Sequence, residues 1–270
     1  MNIVVIKGAG DIASGIAYRL KKCGCKVVMT EIAVPTTVRR TVAFSRAVYE
    51  GSCTIEGITA EVCKGVDDVL DCLRRDNIPV VVDEDAKIID VLKPEVVVDA
   101  ILAKRNINTA INQAPMVIGV GPGFTAGDDC HYVIETKRGH YLGRVIEKGS
   151  AIPNTGVPGE IGGFSAERII RAEAEGFFRP LKEIGDRVEK GSVVAESGGA
   201  EIRARMTGII RGMLQEGVAV VPGMKCGDID ARCEPEYCHQ ISDKALAISG
   251  GVLEAVLRGT EWRKCFAGSI

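Results

Sequence analysis

The sequence is poor in aromatic residues and holds no long hydrophobic run. Of its 270 residues only 4% are Phe, Trp or Tyr, whereas 46% are apolar and 32 are glycine. A core of Val, Ile, Leu and Ala with many tight turns is typical of parallel-sheet proteins. No window approaches roughly 18 uninterrupted apolar residues, and the N-terminus has no basic segment or cleavage site. We therefore expect a cytoplasmic protein that does not interact with membranes.

A strong charge imbalance and paired cysteines are also missing. The formal net charge is −2 at pH 7, and Lys and Arg form no long basic tract, so we expect no nucleic-acid partner. The ten cysteines include no Cys-x-x-Cys pair. Since thiols of a cytosolic chain stay reduced, most of these cysteines are expected to be small core residues rather than metal ligands.

The first 31 residues have the pattern of a β-α-β unit. A continuous apolar run from Ile3 to Ile6 stops at a glycine-rich turn, and a helical periodicity precedes a second strand from Lys26 to Thr30. Between the two strands, Gly8, Gly10 and Ala13 fit the G-x-G-x-x-A pattern of dinucleotide-binding turns. The pattern predicts a Rossmann-like parallel sheet.

The size and charge of the residues in and beside this turn indicate their roles. Gly8 permits the tight turn, Gly10 lets a pyrophosphate approach the backbone, and Ala13 keeps the helix close to the sheet. The helix N-terminus, beginning at Asp11, presents free N–H groups to an anion, and Glu31 is placed to accept hydrogen bonds from ribose hydroxyls. The unit therefore predicts a nucleotide-like ligand. A fold that keeps the turn but binds nothing is the alternative.

Further carboxylates and glycines follow the later predicted strands. In a parallel α/β sheet, ligands bind outside the carboxyl ends of the strands, which makes these residues candidates for the same site. For each carboxylate alone, a helix N-cap is the alternative. The candidates, with two cations that would neutralise an anionic ligand, are Asp83, Asp99, Lys104, Arg105, Gly121 and Gly123.

Two arginines lie just past the second strand. Arg39 and Arg40 stand near the start of a helix predicted over Thr37 to Tyr49, where they would bind a phosphate or face solvent.

A cluster of histidine and glutamate is tempting as a metal site. A hairpin predicted about Arg138-Gly139 would place His131, Glu135 and His140 on one face. At about 3.3 Å per residue, His131 and Glu135 stand roughly 13 Å apart, too far to share one ion. We expect no metal centre, and catalytic residues stay unassigned.

The second half contains an internal repeat. Gly176–Arg179 matches Gly208–Arg211, and Gly185–Gly191 matches Gly217–Gly223, each 32 positions later. Two such hairpins resemble the biotinyl/lipoyl barrel-sandwich hybrid, whose members carry a cofactor on a lysine at the tip. The corresponding stretch Ser197–Glu201 has no lysine, so we expect neither biotin nor lipoate.

The predicted architecture is therefore α/β, with a Rossmann-like parallel sheet domain and a small all-β barrel-sandwich-hybrid-like module. The first domain is predicted over residues 1–170 and the β module over 171–235. Residues 236–270 are predicted as a C-terminal helix, interrupted at Gly250-Gly251, that packs on the first domain.

Taken together, the motifs resemble YqeB-type accessory proteins of selenium-dependent molybdenum hydroxylases, and the first domain is similar in kind to XdhC-type maturation factors. The stretches that carry this likeness are Ile6–Ala13, Arg39–Val42, Gly119–Gly127, Glu135–His140, Gly227–Asp230 and Ile241–Ala245.

The resemblance implies a maturation factor that holds NAD(P) or a molybdopterin-type nucleotide and acts on a molybdenum hydroxylase apoprotein. An NAD(P)-dependent oxidoreductase and a non-catalytic interaction scaffold are the alternatives, and assembly into a homo-oligomer is left open.

Overall fold

The computed structural model describes residues 3–156, 159–160 and 162–260. Over these residues the chain forms two compact units. The first comprises residues 3–33, 44–154 and 241–260, and the second comprises 34–43 and 155–240. The predicted domain boundaries fall after residues 170 and 235 instead. The predicted domains also include residues 1–2, 157–158, 161 and 261–270, which lie outside the described residues.

The first unit is built on one large sheet. Its nine strands, as far as the chain is described, are β1 (Ile3–Lys7), β2 (Lys26–Glu31), β3 (Ser52–Ile55), β4 (Ile58–Cys63), β5 (Ile78–Val82), β6 (Val96–Asp99), β7 (Met116–Val120), β9 (Tyr132–Ile134) and β10 (Val145–Ile146). Two short strands, β8 (Thr125–Ala126) and β11 (Gly149–Ser150), pair separately.

The sheet is mixed. Its order is β10-β9-β7-β6-β1-β2-β5-β4-β3, in which the seven inner strands run parallel while β10 and β3 pair antiparallel with their neighbours. Each antiparallel edge comes from a hairpin that adds one strand to the parallel core. The prediction of a Rossmann-like parallel sheet is therefore wrong for this unit.

Helices cover both faces of the sheet. They are α1 (Asp11–Lys22), α2 (Arg46–Glu50), α3 (Val66–Arg74), α4 (Ile88–Leu92) and α5 (Asp243–Gly259). The inner strands are almost fully buried runs of Val and Ile, as expected for strands covered on two sides. Helix α5 packs on α1, where a Cβ at Gly15 would come within 2.7 Å of the Ala245 Cβ.

Two helix predictions are wrong. The region predicted as a helix over Thr37 to Tyr49 is irregular up to a 3₁₀ turn at Arg40–Val42 and is followed only by the short α2. The irregular part is held by a residue far along the chain, since the Met213 amide donates to the Val38 carbonyl at 2.7 Å. The predicted interruption at Gly250-Gly251 is missing because α5 continues through both glycines.

The second unit consists of two antiparallel sheets, each of four strands in the described part of the chain. One has the order β12-β19-β17-β14 and the other β16-β15-β13-β18. The strands are β12 (Ile169–Arg171), β13 (Gly176–Pro180), β14 (Arg187–Val188), β15 (Val193–Ser197), β16 (Ala200–Arg203), β17 (Gly208–Met213), β18 (Ala219–Val220) and β19 (Lys225–Asp230).

The internal repeat is visible as an exchange of short strands. Strand β14 of the first copy pairs with β17 of the second, and β18 of the second pairs with β13 of the first. The unit also takes in residues 34–43 and 155–170. A small barrel-sandwich-hybrid-like module over 171–235 is therefore the wrong description, and the fold-class prediction is corrected to a mixed sheet with helices and a separate pair of antiparallel sheets.

Candidate functional site

The parallel inner strands bring five of the predicted residues to one edge of the first unit. In register, Lys7 lies beside Thr30 on one side and Asp99 on the other, and Asp99 lies beside Gly119. Because these strands are parallel, their carboxyl ends share an edge. In the order of the strands, the residues at this edge are Gly121, Asp99, Gly8, Glu31 and Asp83.

The glycine turn after β1 is shaped by packing. Gly8 has φ +91°, and a Cβ there would lie 3.1 Å from the Ala100 carbonyl oxygen, against the loop that follows β6. Gly10 is the N-cap of α1, with an extended backbone (φ −71°, ψ −175°) and no side-chain cap hydrogen bond. Ala13 is buried, as the motif requires, and Asp11 in the first turn of α1 already has an interaction partner.

Glu31 is fixed beside this turn. One carboxylate oxygen accepts a hydrogen bond from the Ala9 amide at 2.9 Å, and the other accepts from the Ile32 amide at 2.9 Å. Burial raises the pKa of Glu31, and the two amide hydrogen bonds oppose that rise. The carboxylate keeps lone pairs for further donors, so it can accept hydrogen bonds from ligand hydroxyl groups while holding the turn in place.

Lys7 and Asp99 form a buried ion pair at the centre of the edge. The Lys7 Nζ lies 3.7 Å from Asp99 Oδ2 and donates to Asn108 Oδ1 and Thr109 Oγ1, both at 2.5 Å. The Thr109 hydroxyl in turn donates to Asp99 at 2.6 Å. Burial lowers the pKa of Lys7, and the Asp99 carboxylate opposes this. Lys7 therefore fastens the loop after β6 and is not exposed to a substrate.

The remaining strand-end residues have local packing roles. Asp83 accepts a hydrogen bond at 2.8 Å from the amide of Ile88, the first residue of α4, although the N-cap residue of that helix is Lys87. A Cβ at Gly121 would lie 2.8 Å from Thr136 Oγ1, and one at Gly123 would lie 2.6 Å from the Arg105 Cα. Both glycines thus permit close contacts between loops at the carboxyl edge.

The loop after β6 carries the predicted cations. Lys104 and Arg105 are both exposed, and Lys104 has φ +64°. The loop is held at its base, since Asn106 Nδ2 donates to Asp129 Oδ1 at 2.9 Å. The loop after β6 therefore presents two exposed cations.

Arg39 and Arg40 belong to the second unit. Arg39 Nη2 donates to the Tyr237 and Gln240 carbonyls at 2.9 and 3.0 Å. Arg40 Nε donates to the Met213 carbonyl at 2.7 Å. These contacts hold segment 34–43 within its own unit.

Each of the residues considered as a metal ligand has its own separate contacts. His131 Nδ1 accepts from the Val117 amide at 3.0 Å, whereas Glu135 accepts from the Lys137 and Ile152 amides at 2.7 and 2.8 Å. His140 lies edge-on to Tyr141. In the part of the chain that is described, no three His, Cys, Asp or Glu side chains are grouped to hold a metal ion.

Sequence reasoning missed Asn108 and Thr109, which complete the environment of Lys7. Their signal is three polar residues, Asn106, Asn108 and Thr109, in the loop between two buried strands, but Asn108 lies 101 positions away from the lysine that it contacts. From the sequence alone, Lys7 beside Gly8 is a possible general acid. Its burial is visible only once β1 is placed between β2 and β6.

Comparison with known proteins gives one strong relative. The chain is 52% identical over 255 residues to the uncharacterized protein YqeB of Escherichia coli (strain K12). The match covers 94% of this chain but 47% of YqeB, so the chain spans about half the length of that relative. This supports the YqeB part of the predicted resemblance and does not support the XdhC part. No family model matches the chain.

Solved structures give only weak similarities. An aspartoacylase family protein from Mesorhizobium loti is 11% identical with a TM-score of 0.28, and 84% of each chain is covered. A succinylglutamate desuccinylase/aspartoacylase from Rhodobacter sphaeroides is 14% identical with a TM-score of 0.27, covering 84% of this chain and 85% of that one. Scores this low carry no argument about function. Among the described helices, none has the length and apolar character needed to cross a membrane.

Proposed function

We propose that this protein is an accessory factor of a selenium-dependent molybdenum hydroxylase and that it holds a nucleotide or molybdopterin-type ligand at the carboxyl edge of its first sheet. Its similarity to YqeB, together with the resemblance implied by the motifs, supports the accessory role. The observation that carries the ligand proposal is the Glu31 carboxylate bound to the Ala9 amide, beside the glycine N-cap of α1.

The turn suits a ligand with a phosphate and a diol. The positive end of the α1 dipole favours a phosphate oxygen, and Gly10 leaves the backbone without a side chain there. Glu31 accepts hydrogen bonds from the two hydroxyls of a ribose. Because a carboxylate repels a 2′-phosphate, NAD or a molybdopterin nucleotide is favoured over NADP. Lys104 and Arg105 supply the opposing charge.

The contacts of Lys7 weigh against the oxidoreductase alternative. A dehydrogenase needs a proton donor within reach of its substrate. Lys7 is fully buried, and its ammonium group is occupied by Asn108, Thr109 and Asp99. No observation therefore favours hydride transfer to a free metabolite, and the interaction scaffold becomes the outcome expected if no ligand binds.

Calorimetry with NAD, NADP, CTP and a molybdopterin nucleotide tests the ligand proposal. We expect the wild-type chain to bind at least one of them, with NADP weaker than NAD, and Gly10→Val to abolish that binding. Valine fits the extended backbone at Gly10, so the variant should fold. Its added methyl groups would stand where the phosphate approaches.

Gly65→Val is the matched control. Gly65 is also a helix N-cap with an extended backbone (φ −164°, ψ −179°), and a Cβ there would meet nothing within 4 Å. The Gly65→Val variant should bind the nucleotide as the wild type does. Absence of binding by the wild type, or equal loss in both variants, would contradict the proposal. The role toward a client enzyme is tested separately, by deleting the gene in the host.

A further inference from the structure

The second unit has a groove that the proposed function does not use. It has a volume of about 370 Å³ and lies on the sheet that contains β13, with the ring of Phe177 on its wall. Phe177 is 72% exposed, the largest exposure among the exposed large hydrophobic side chains described. On a strand that lies between β15 and β18, this exposed phenyl ring offers an apolar face to a ligand.

Backbone hydrogen bonds fix the position of Phe177 between two turns. On one side the Gly198 amide donates to the Phe177 carbonyl at 3.3 Å. On the other side the Gly217 amide donates to the Phe178 carbonyl at 2.9 Å. The next side chain, Phe178, points into the core and is 1% exposed, which anchors the strand beneath the groove. The groove is thus framed by ordered backbone on both sides.

Glycines leave the two flanking turns bare. A Cβ at Gly199 or Gly217 would meet nothing within 4 Å, and both residues have positive φ (+84° and +80°) that disfavours a side chain. The Gly198 backbone packs closely against Glu175, since a Cβ at Gly198 would lie 2.0 Å from the Glu175 carbonyl oxygen. A flat peptide surface next to an exposed ring is suited to a planar group.

The charges in the groove select among planar groups. Arg179 is engaged by Glu196, with its Nη2 2.7 Å from the carboxylate, so it is not available to an anion. Glu216 also lines the groove, and within the described residues it has no ion pair or side-chain hydrogen bond. One unpaired carboxylate favours a ligand that donates hydrogen bonds. It disfavours phosphate as the recognised group.

We infer that this groove binds a planar heteroaromatic ring with adjacent N–H donors, of the guanine or pterin type, stacked on Phe177 and hydrogen-bonded to Glu216. Stacking uses the exposed face of the phenyl ring. The ring N–H and the neighbouring amino group together match the two oxygens of a carboxylate. The volume of about 370 Å³ is near the lower end of the range for small-molecule sites.

Titration of the full chain with guanosine, and with pterin followed by its own fluorescence, tests this inference. Binding should quench pterin emission, and adenosine should bind more weakly because its pairing edge offers an acceptor beside its amino group. Phe177→Ala should weaken binding about tenfold through lost stacking. Glu216→Gln should weaken it by a similar factor, since an amide cannot accept both hydrogen bonds.

Two exposed residues outside the groove lining provide matched controls. Val221→Ala removes an apolar side chain that is 56% exposed, and Glu183→Gln removes an exposed carboxylate. Both should bind like the wild type, and circular dichroism should show all four variants folded. The inference is overturned if neither guanosine nor pterin binds, if adenosine binds as well as they do, or if the controls weaken binding equally.

An arginine-containing peptide separates a small-molecule site from a protein-docking site. Peptide binding that is lost in Phe177→Ala and Glu216→Gln, without binding of guanosine or pterin, would replace the inference by a docking surface. This groove lies entirely in the second unit, so its test is independent of ligand binding at the Gly10 turn.

Discussion

Lys7 shows how a single residue can be misjudged from sequence. Next to a glycine turn at the end of a strand, its ammonium group is an obvious candidate for chemistry. In the structure it is buried and bonded to a loop about 100 positions away, at Asn108 and Thr109. The strand-end carboxylates Asp83, Asp99 and Glu31 were identifiable because each ends an apolar run. Their partners were not, since irregular loops leave no periodic signal.

Removing the Lys7 charge should lower the free energy of unfolding. Lys7→Met leaves Asp99 buried without its cation, and breaking a buried pair in this way costs about 3–5 kcal/mol. Urea unfolding should show this loss of free energy. The double variant Lys7→Met with Asp99→Asn should recover part of it, because the uncompensated charge is then gone.

Lys21→Met is the control for that measurement. Lys21 pairs with Asp76, whose side chain is 88% exposed, and such surface pairs contribute less than about 1 kcal/mol. Equal destabilisation by Lys7→Met and Lys21→Met would show that the buried pair is not a specific anchor of the loop after β6.

At the level of elements, short-range patterns were sufficient for the first β-α-β unit. Strands β1 and β2 and helix α1 agree with prediction to within one or two residues. The helix prediction over Thr37 to Tyr49 is wrong because the Val38 carbonyl instead accepts a hydrogen bond from Met213 in the distant β17. The hairpin predicted about Arg138-Gly139 is confirmed as the β9–β10 pair, but the sequence did not show that it adds an antiparallel edge to the large sheet.

Adjacent glycines in α5 give a direct test of helix packing. A Cβ at Gly251 would lie 2.0 Å from the Gly143 carbonyl oxygen, whereas one at Gly250 would meet nothing within 4 Å. Gly251→Ala should therefore destabilise the protein by about 1–3 kcal/mol through overpacking. Gly250→Ala should stabilise it by up to about 1 kcal/mol, because alanine is the better helix former.

Thermal or urea unfolding of both glycine variants provides the readout. Opposite signs are expected, and they would explain why the helix tolerates two consecutive glycines without a break. If both substitutions stabilise the protein, the close approach of Gly143 to α5 is wrong.

At the scale of the whole molecule, two separate segments of the chain form the second unit. Residues 34–43 leave the first unit soon after β2, and residues 155–240 return to the second unit much later. The internal repeat was visible in the glycine spacing, but the early contribution of segment 34–43 was not. A contact such as that of Arg40 with the Met213 carbonyl joins positions 173 apart, which no local pattern encodes. Domain boundaries drawn along the sequence could not include it.

Deleting the gene for this chain tests whether the whole protein serves another enzyme. We expect the molybdenum hydroxylase of the host to be synthesised at its normal level but to be inactive, since an accessory factor is needed for maturation and not for synthesis. Immunoblotting gives the abundance, and activity in extracts gives the fraction matured. Plasmid-borne wild type and Gly65→Val should restore activity, whereas Gly10→Val should not, because only the last blocks the turn after β1. A fully active hydroxylase in the deletion strain would refute the accessory role. Full rescue by Gly10→Val would leave that role intact but show that it works as a scaffold, without a ligand at the Gly10 turn.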